Sequence, residues 1–419
     1  MNVLHINQSD ISGGAAIAGY RLHQGLITQN IESRLLVGSV KTSDDRIAQT
    51  PLRNKRERIL SRITRVLGLN YLDRISTFDI RKHSFYQNAD LLNFHNLHTG
   101  YFNYLAIPQL TQPKPAVFTL HDMWSFTGHC AYSYDCDRWT IGCGQCPYPN
   151  EYPTVRRDST RIEWKLKNWV YHRSHLTIVT PSQWLTERAK QSLLARFPIH
   201  HIPYGIDTDA YAPLNTEKCR LILGIDNHKK VLLFSADSLK DKRKGGDLLL
   251  KALIGLPQSL KNKIVLLTLG YGGETLSKNL GIESLHLGYV SSDRLKSIAY
   301  SAADLFVCPT RADNLPLVLQ ESLACGTPIV SFDVGGVSDL VRPNMTGYLA
   351  KSEDFQDLSY GILKLFEEDE RRYKMGQVCR EIALREYSLE LQAKRYIELY
   401  QQILKKENTQ VVGVRPAQS

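Results

Sequence analysis

The chain has 419 residues, 42% of them hydrophobic, and a formal net charge of +10 at pH 7. That length exceeds a single ordinary core, so we expect two or three domains. The sequence has no run of about eighteen apolar residues and no signal-peptide pattern before its first predicted strand, which argues against a membrane-spanning helix and predicts a cytoplasmic protein. The excess of positive charge favours an acidic partner, such as a phosphorylated substrate or an anionic lipid.

The first half of the sequence alternates short apolar runs with helical patterns, which predicts a parallel sheet covered by helices. The predicted strands span residues 3–6, 33–37, 91–94, 116–120, 177–180 and 200–203. Between the first strand and the first helix, Gly13 and Gly14 form a turn where backbone amides can approach a phosphate or a sugar. A turn that merely needs small residues is the alternative, and the missing dinucleotide fingerprint disfavours an NAD-dependent dehydrogenase.

A segment between residues 53 and 67 combines basic residues with apolar residues at helical spacing. The basic residues are Arg53, Lys55, Arg56, Arg58, Arg62 and Arg65, and the apolar ones are Ile59, Leu60, Ile63, Val66 and Leu67. Such a helix can lie on an anionic membrane surface, or it can pack on its own domain with a solvated basic face. Nucleic acid is not expected as a partner, because no binding motif or array of stacking aromatics accompanies the charge.

Two neighbouring predicted strands end in histidines. His121 follows the strand at 116–120, and His95 and His98 close the strand at 91–94. A neutral imidazole both donates and accepts hydrogen bonds near pH 7, which suits proton handling during a transfer reaction. We therefore expect the three side chains to line one site, with purely structural histidines as the alternative.

A loop at residues 121–150 is rich in cysteine and aromatic residues. Its thiols end in a Cys-x-x-Cys pair and fit a tetrahedral structural zinc site, with two disulfides or free thiols as alternatives. They are Cys130, Cys136, Cys143 and Cys146. The aromatic residues Trp124 and Trp139 of this loop could stack on the rings of a bound sugar, or they could form a small core of the loop itself.

A turn-rich stretch between Tyr204 and Pro213 has no periodicity and separates the two halves of the chain. Beyond it, strands predicted at residues 231–234, 264–269, 285–287 and 305–307 again alternate with helices, which indicates a second Rossmann-like unit. Arg243 and Lys244 precede the helix after its first strand. Positive charge there can stabilise a departing diphosphate, and a solvated basic loop is the alternative.

The stretch from Cys308 to Gly336 predicts a strand, an acidic loop with Asp313, a helix over 317–324 that carries Glu321, and a second strand over 329–332. Pro316 suits the first helical position, and Gly326 suits the position after the helix end. The free amides of the helix N-terminus, near Leu317 and Val318, are a ready site for an anionic group such as a pyrophosphate.

This stretch resembles the acidic signature of retaining glycosyltransferase family 4, in which two glutamates with seven residues between them are followed by a small-residue helix, a Cys-Gly-Thr-Pro sequence and a strand. Asp313 replaces the first glutamate here, and the arginine that usually precedes the lysine is missing, so that Arg243 is the candidate for the second charge. The resemblance implies that Glu321 holds the ribose hydroxyls of the donor, and that His121 and Asp313 lie near the transferred sugar. It also implies that Gly13, Gly14 and Lys244 contact the donor.

The resemblance implies the GT-B fold, an α/β architecture of two Rossmann-like domains facing a cleft, with a C-terminal helix that crosses back to the first domain. We place the domains at residues 1–205 and 206–385, the crossover helix at 386–404, and a disordered polar tail at 405–419. The histidines His95 and His98 and the loop at 121–150 then belong to the acceptor side.

We therefore expect a retaining hexosyltransferase for polysaccharide or glycolipid synthesis. It would transfer a sugar from a nucleotide diphosphate sugar, of the UDP or GDP type rather than the ADP type, to a saccharide or lipid-linked acceptor. No cofactor is expected to be required for catalysis, and the protein would be peripheral on the inner membrane face if its basic helix binds there. A nucleotide-sugar epimerase or hydrolase on the same fold, and a non-catalytic sugar-binding subunit, are the alternatives.

Overall fold

A computed structural model describes residues 1–51, 55–278 and 280–412, with residues 407–412 described as backbone only. The chain divides into two compact units, one formed by Met1–Pro203 together with Glu390–Ser419, the other by Tyr204–Leu389. None of the helices in the described ranges is long and apolar enough to cross a membrane.

The first unit contains a parallel sheet of seven strands with helices between them. Its strands are β1 (Asn2–Ser9), β2 (Glu32–Ser39), β3 (Ile47–Gln49), β4 (Leu91–Phe94), β5 (Ala116–Thr119), β6 (Leu176–Thr180) and β7 (Ile199–His201), in the order β3-β2-β1-β4-β5-β6-β7. Its helices are α1 (Gly14–Thr28), α2 (Lys55–Val66), α3 (Ser84–Asn88), α4 (Ile107–Thr111), α5 (Thr160–Tyr171) and α6 (Gln183–Lys190). The central strands are buried along their length, because helices cover both faces of the sheet.

The second unit repeats this architecture. Its helices are α7 (Thr216–Leu223), α8 (Gly246–Ile254), α9 (Gln258–Lys261), α10 (Gly273–Ser277), α11 (Asp293–Ala302), α12 (Leu317–Ala324), α13 (Val337–Leu340), α14 (Phe355–Glu367) and α15 (Asp369–Glu386). Its strands are β8 (Lys230–Ser238), β9 (Ile264–Tyr271), β10 (Glu283–His286), β11 (Leu305–Cys308), β12 (Ile329–Phe332) and β13 (Gly347–Ala350). The order β10-β9-β8-β11-β12-β13 has the change of direction between β8 and β11 at which doubly wound sheets bind ligands. The predicted Rossmann-like fold of both units is thus confirmed.

The last helix, α16 (Leu389–Val412), belongs to the first unit. The buried side chains of Tyr396, Leu399 and Tyr400 pack in one cluster with Val3, Leu22 and Val117. Asn93 donates to the Tyr400 hydroxyl at 2.7 Å, and the hydroxyls of Tyr396 and Thr119 are 3.0 Å apart. The return of this helix to the first unit therefore matches the expected crossover.

The predicted disordered tail differs from the structure over residues 405–412, which continue α16. Lys405 and Lys406 are good helix formers, so a polar composition did not end the helix. Residues 413–419 of the predicted tail lie outside the described residues.

Helix α2 turns its apolar residues to solvent rather than onto its own unit. Ile63 is 53% exposed, Ile59 and Val66 are more exposed still, and Glu57 and Thr64 are the buried side chains. The Glu57 carboxylate accepts from the Ser76 amide. The helix therefore packs on its own unit through Glu57 and Thr64, with its basic residues solvated as the alternative predicted, but Ile59, Ile63 and Val66 take no part in that packing. The predicted basic residue Arg53 lies outside the described residues.

Candidate active site

Two predicted donor-binding residues, Arg243 and Lys244, meet the predicted catalytic residue Asp313 in the second unit. Oδ2 of Asp313 lies 2.6 Å from Nζ of Lys244 and 3.2 Å from Nη1 of Arg243. Arg243 also donates to the carbonyl oxygen of Ala312 at 2.9 Å. Arg243 thus supplies the second positive charge beside Lys244, and we call Arg243, Lys244 and Asp313 the charged cluster.

Backbone geometry holds the two cations against the Asp313 loop. Arg243 and Lys244 form a 3-10 turn that ends at Gly245, whose φ is 72°. A Cβ at Gly245 would lie 1.8 Å from the carbonyl oxygen of Pro309, so only glycine permits this approach. The Arg311 amide donates to the carbonyl oxygen of Arg243 at 2.8 Å and ties the turn to the loop after β11.

The backbone of Asp313 is held by the turn after β12. The amide of Gly336 donates to the carbonyl oxygen of Asp313 at 3.2 Å, and a Cβ at Gly335 would lie 1.9 Å from the same oxygen. The carboxylate oxygen Oδ1 accepts from the Asn314 amide at 3.1 Å. Although burial opposes ionisation, Lys244 and Arg243 hold the pKa of Asp313 below its ordinary value, so Asp313 is a carboxylate at neutral pH.

Arg311 braces the charged cluster and was missed by sequence reasoning. Its guanidinium makes a two-point contact with Asp247, at 2.8 and 2.7 Å, and lies 3.2 Å from Glu353. The Asp247 carboxylate and then the Glu353 carboxylate raise the pKa of this guanidinium. In the sequence, its position two residues before Asp313 was the available signal.

Glu321 lies in the second turn of α12 and is 4% exposed. The Tyr300 hydroxyl donates to its Oε2 at 3.3 Å, and burial, followed by the Glu321 charge, raises the pKa of Tyr300 well above its ordinary range. Helix α12 spans the predicted residues, with Pro316 immediately before the first helical position rather than at it. The predicted donor-binding residues Leu317 and Val318 are half-buried in its first turn.

The predicted histidines of the first unit form two groups. Nε2 of His121 lies 3.0 Å from Nδ1 of His95, whose Nε2 lies 2.9 Å from Nδ1 of His5 in β1. His98 instead lies 2.8 Å from the Asp122 carboxylate. Burial lowers the pKa of His121 to about 4, so its imidazole is neutral at physiological pH. His5 and Asp122 were not predicted to be site residues, although His5 is a polar residue within an apolar strand.

The glycine turn of the first unit lies where it was predicted, between β1 and α1. Gly13 precedes the helix with φ 89°, a conformation that favours glycine, and its carbonyl oxygen accepts from the Ile17 amide at 3.0 Å. Gly14 is the exposed first residue of α1, and a Cβ there would meet no atom of the described residues within 4 Å. The fold itself therefore does not require glycine at position 14.

Replacing Gly14 with alanine is expected to leave the free energy of unfolding unchanged or to raise it by up to about 1 kcal/mol, because the methyl group meets open space in a helix. If backbone amides of this turn contact the ligand, the same change should weaken ligand binding about tenfold. Titration calorimetry measures the ligand affinity of this variant. The control is Gly255→Ala, which changes an exposed glycine at the end of a helix in the second unit. Unchanged affinity in Gly14→Ala would remove the glycine turn from the site.

The two tryptophans predicted on the acceptor side are not available to stack on sugars. Trp124 and Trp139 are both buried in the core of the first unit. Nζ of Lys167 lies 3.8 Å from the centre of the Trp124 ring and donates to its carbonyl oxygen at 2.6 Å. Because the loop has little regular secondary structure, its large aromatic rings form its core, and the acceptor-stacking prediction is corrected accordingly.

The four loop cysteines are free thiols with separate contacts. Sγ of Cys143 accepts from the Gly128 amide and Sγ of Cys146 lies near Nε2 of His129, each at 3.2 Å. Burial raises the pKa of Cys130 to about 12 and that of Cys143 to about 11. Across the described parts of the chain, no three His, Cys, Asp or Glu side chains are arranged to hold a metal ion.

Structural zinc stays a prediction. We expect about one zinc ion per chain in protein purified without chelators, and loss of that zinc in a Cys143→Ser, Cys146→Ser double variant, because thiolates are the ligands that structural zinc prefers. Metal analysis by mass spectrometry measures both proteins, with Cys219→Ser as the control thiol outside the loop. If purified wild-type protein contains no zinc, the prediction of a structural zinc site is wrong.

Comparison with known proteins places both units in one class. The model Glycosyltransferase Family 4 matches residues 12–210, and the model Glycosyl transferases group 1 matches residues 215–381. Glycosyl transferase WcaC of Escherichia coli, whose name assigns it to colanic acid biosynthesis, is 24% identical over 433 residues, which cover 96% of this chain and 100% of that protein.

Solved structures share the fold. Sucrose-phosphate synthase from Thermosynechococcus elongatus superposes with a TM-score of 0.71 at 16% identity, covering 97% of this chain and 100% of that one. Anabaena HepE in complex with UDP-glucose gives a TM-score of 0.67 at 15% identity, covering 96% and 100%.

Two doubly wound parallel sheets that match such structures define the GT-B class of glycosyltransferases. The chain belongs to glycosyltransferase family 4, as its acidic stretch and glycine turn indicated.

Proposed function

We propose that this glycosyltransferase transfers a sugar, with retention of configuration, from a nucleotide diphosphate sugar to a saccharide or lipid-linked acceptor in polysaccharide or glycolipid synthesis. A relative that matches the whole chain and is named for colanic acid biosynthesis supports the polymer pathway. The complex of HepE with UDP-glucose supports a donor of the UDP type.

The charged cluster is the observation that carries the proposal. Asp313 brings one negative charge to two cations, whereas a diphosphate brings at least two, so a diphosphate can compete for Lys244 and Arg243. Both cations are partly exposed, which leaves them accessible to a ligand. Positive charge fixed beside the leaving diphosphate lowers the barrier to its departure.

Glu321 and His121 take the remaining roles in this proposal. A buried carboxylate accepts two hydrogen bonds, which suits the ribose hydroxyls of the nucleotide. A neutral imidazole at the end of β5 suits a hydrogen bond to a sugar hydroxyl. Asp313 would act beside the transferred sugar once the diphosphate has taken its cations.

A screen of nucleotide sugars tests the donor. Binding of the true donor at a hundredfold excess over its Kd stabilises the second unit by about 2.7 kcal/mol, which should raise its melting temperature by about 5 °C or more. Product analysis by NMR with and without acceptor then reports the anomeric configuration. Release of free sugar or an epimerised donor in place of a glycoside would favour a hydrolase or epimerase, and an inverted product would refute retention.

Helix α2 supports a second part of the proposal, contact with an anionic membrane surface. Its exposed Ile59, Ile63 and Val66 are flanked by exposed arginines, namely Arg56, Arg58, Arg62 and Arg65. An amphipathic helix that lies in a membrane interface has this composition, with apolar side chains between basic ones. The acidic headgroups of such a surface would be the partner of the basic residues.

Replacing Ile63 with serine is expected to weaken binding to vesicles that contain anionic lipid about three- to tenfold, because an exposed apolar side chain no longer enters the interface. Co-sedimentation at low salt measures the binding, and Ile222→Ser, which changes a similarly exposed isoleucine (65%) on α7, is the matched control. Equal loss in both variants, or no retention of wild-type protein by these vesicles, would contradict the membrane role.

A further inference from the structure

Three buried imidazoles form a continuous row in the first unit. The row is His5 in β1, His95 after β4 and His121 after β5, and we call it the histidine row. Its two N···N distances are 2.9 Å and 3.0 Å, and its ring centres are 5.2 and 5.3 Å apart. Strands β1, β4 and β5 are neighbours in the sheet, which brings the three side chains together.

Proton counting restricts how the row can be protonated. Three neutral imidazoles carry three ring protons, and each N···N contact holds one of them. The third proton must therefore lie on an outer nitrogen, either Nε2 of His5 or Nδ1 of His121.

The His5 end of the row is a poor place for that proton. Nε2 of His5 is buried without a hydrogen-bond partner in the part of the chain that the structure describes. A buried N–H group without an acceptor is rare in native proteins because it keeps the full cost of its desolvation. A proton on Nδ1 of His121 avoids this, and His5 and His95 then each donate through Nδ1 to the next ring.

The surroundings of the row also oppose its protonation to a cation. In this arrangement every ring nitrogen except Nε2 of His5 already carries a proton or accepts one, so a fourth proton could go only to buried Nε2 of His5. The titratable groups around the row are His23 on α1, with its ring centre 6.3 Å from that of His5, and Asp122 and His98 beside His121. Burial, followed by the charges of neighbouring histidines, lowers the pKa of His5 and His95 well below the ordinary value.

We propose that His95 and His5 are positioning residues that hold the His121 ring neutral with its proton on Nδ1, so that His121 meets its substrate as an N–H donor. The substrate contact rests on the proposed function, whereas the position of the proton does not. A sugar hydroxyl bound at Nδ1 would then be an acceptor of this hydrogen bond, which leaves its own proton for another partner.

The ring protons can be observed directly by NMR with 15N-labelled histidine. In wild-type protein we expect the His121 resonances, identified by their absence in His121→Gln, to show a protonated Nδ1 and an unprotonated Nε2 at pH 7. His95→Leu removes the donor to His121 and should give a mixture of tautomers. His95→Asn keeps a side-chain N–H near the position of Nδ1 and should restore the wild-type pattern. Wild-type His121 with its proton on Nε2 would overturn the proposal, whatever the variants do.

The pH dependence of activity is the second readout. In His95→Leu, the acidic side of the pH profile of kcat/KM should shift to higher pH by about one to two units, because His121 is then protonated more easily. In His95→Asn, the profile should stay where it is in wild type. His5→Leu, which keeps His95, should give a smaller shift in the same direction if His95→Leu does not fold. Identical acid limbs in wild type and in every leucine variant that folds would overturn the positioning role. If no nucleotide sugar is turned over at all, the proposed function fails while the NMR result still decides the proton position.

Discussion

Replacing Lys244 with methionine is expected to lower kcat/KM about 100- to 1000-fold with the true donor. Lys244 is the nearer of the two cations to Asp313, at 2.6 Å. In the proposed function, Lys244 exchanges this carboxylate for the diphosphate when the donor binds. Removing a fixed positive charge beside a developing diphosphate costs about 3 to 4 kcal/mol of transition-state stabilisation. Methionine keeps most of the length of the side chain, so the variant tests charge rather than packing.

Steady-state kinetics and calorimetric titration with the nucleoside diphosphate measure this effect. Lys242→Met, which changes an exposed lysine in the same turn, is the matched control and should stay within about threefold of wild type. Equal effects of the two changes would indicate a general contribution of the basic turn rather than a specific contact at Lys244.

Replacing Asp313 with asparagine is expected to lower kcat about 100-fold and to raise the affinity for a nucleoside diphosphate. The carboxylate no longer acts beside the sugar, while Lys244 and Arg243 no longer have to leave a negative partner when the diphosphate binds. A loss of kcat together with a loss of diphosphate affinity would contradict this exchange of partners.

Asp313→Glu is the companion variant, because family 4 has glutamate at this position. Oδ2 of Asp313 already reaches Lys244, and its backbone is closed in by Gly335, so a longer side chain must bend away from the cations. We expect an activity between those of wild type and Asp313→Asn. Complete loss of activity in Asp313→Glu would show that the shorter acid is required by the geometry of this protein.

The same residue gives the protein a pH-dependent contribution to stability. The pKa of Asp313 is lower in the folded protein, so its contribution is present above the ordinary pKa of an aspartate, about 3.9, and is lost as the pH falls through the lowered value. We expect the free energy of unfolding of wild type to exceed that of Asp313→Asn at pH 7, because the variant loses its ion pairs with Lys244 and Arg243. Urea unfolding at several pH values should show this difference shrinking below about pH 4.

Local signals in the sequence were enough to predict five of the six strands of the second unit, β8 to β12. Helix α12 and strand β12 have the predicted bounds, because a proline, a glycine and a β-branched run mark their ends. The short edge strands β3 and β13 were not predicted, since three or four residues give too little periodicity to detect.

The sequence predicted the site residues that belong to recognisable motifs, but it did not predict the contacts between distant segments. The charged cluster was expected from its residues, but the contact of Arg243 with Asp313 spans 70 positions and depends on how Gly245 lets two loops approach. His5 joined the site through strand pairing, which no local pattern encodes. Trp124 and Trp139 were misplaced because the same composition serves a binding surface or a core, and only burial separates the two.

The place of α16 in the first unit has a consequence for the order in which the chain folds during synthesis. The second unit has its complete set of strands and helices once residue 389 has been made, whereas the first unit still lacks Tyr396 and Tyr400, which pack against its sheet. The packing of the N-terminal sheet therefore stays incomplete, with the surface around Val3 and Val117 uncovered, until nearly two hundred later residues have emerged from the ribosome. In this protein the unit that begins first is finished last.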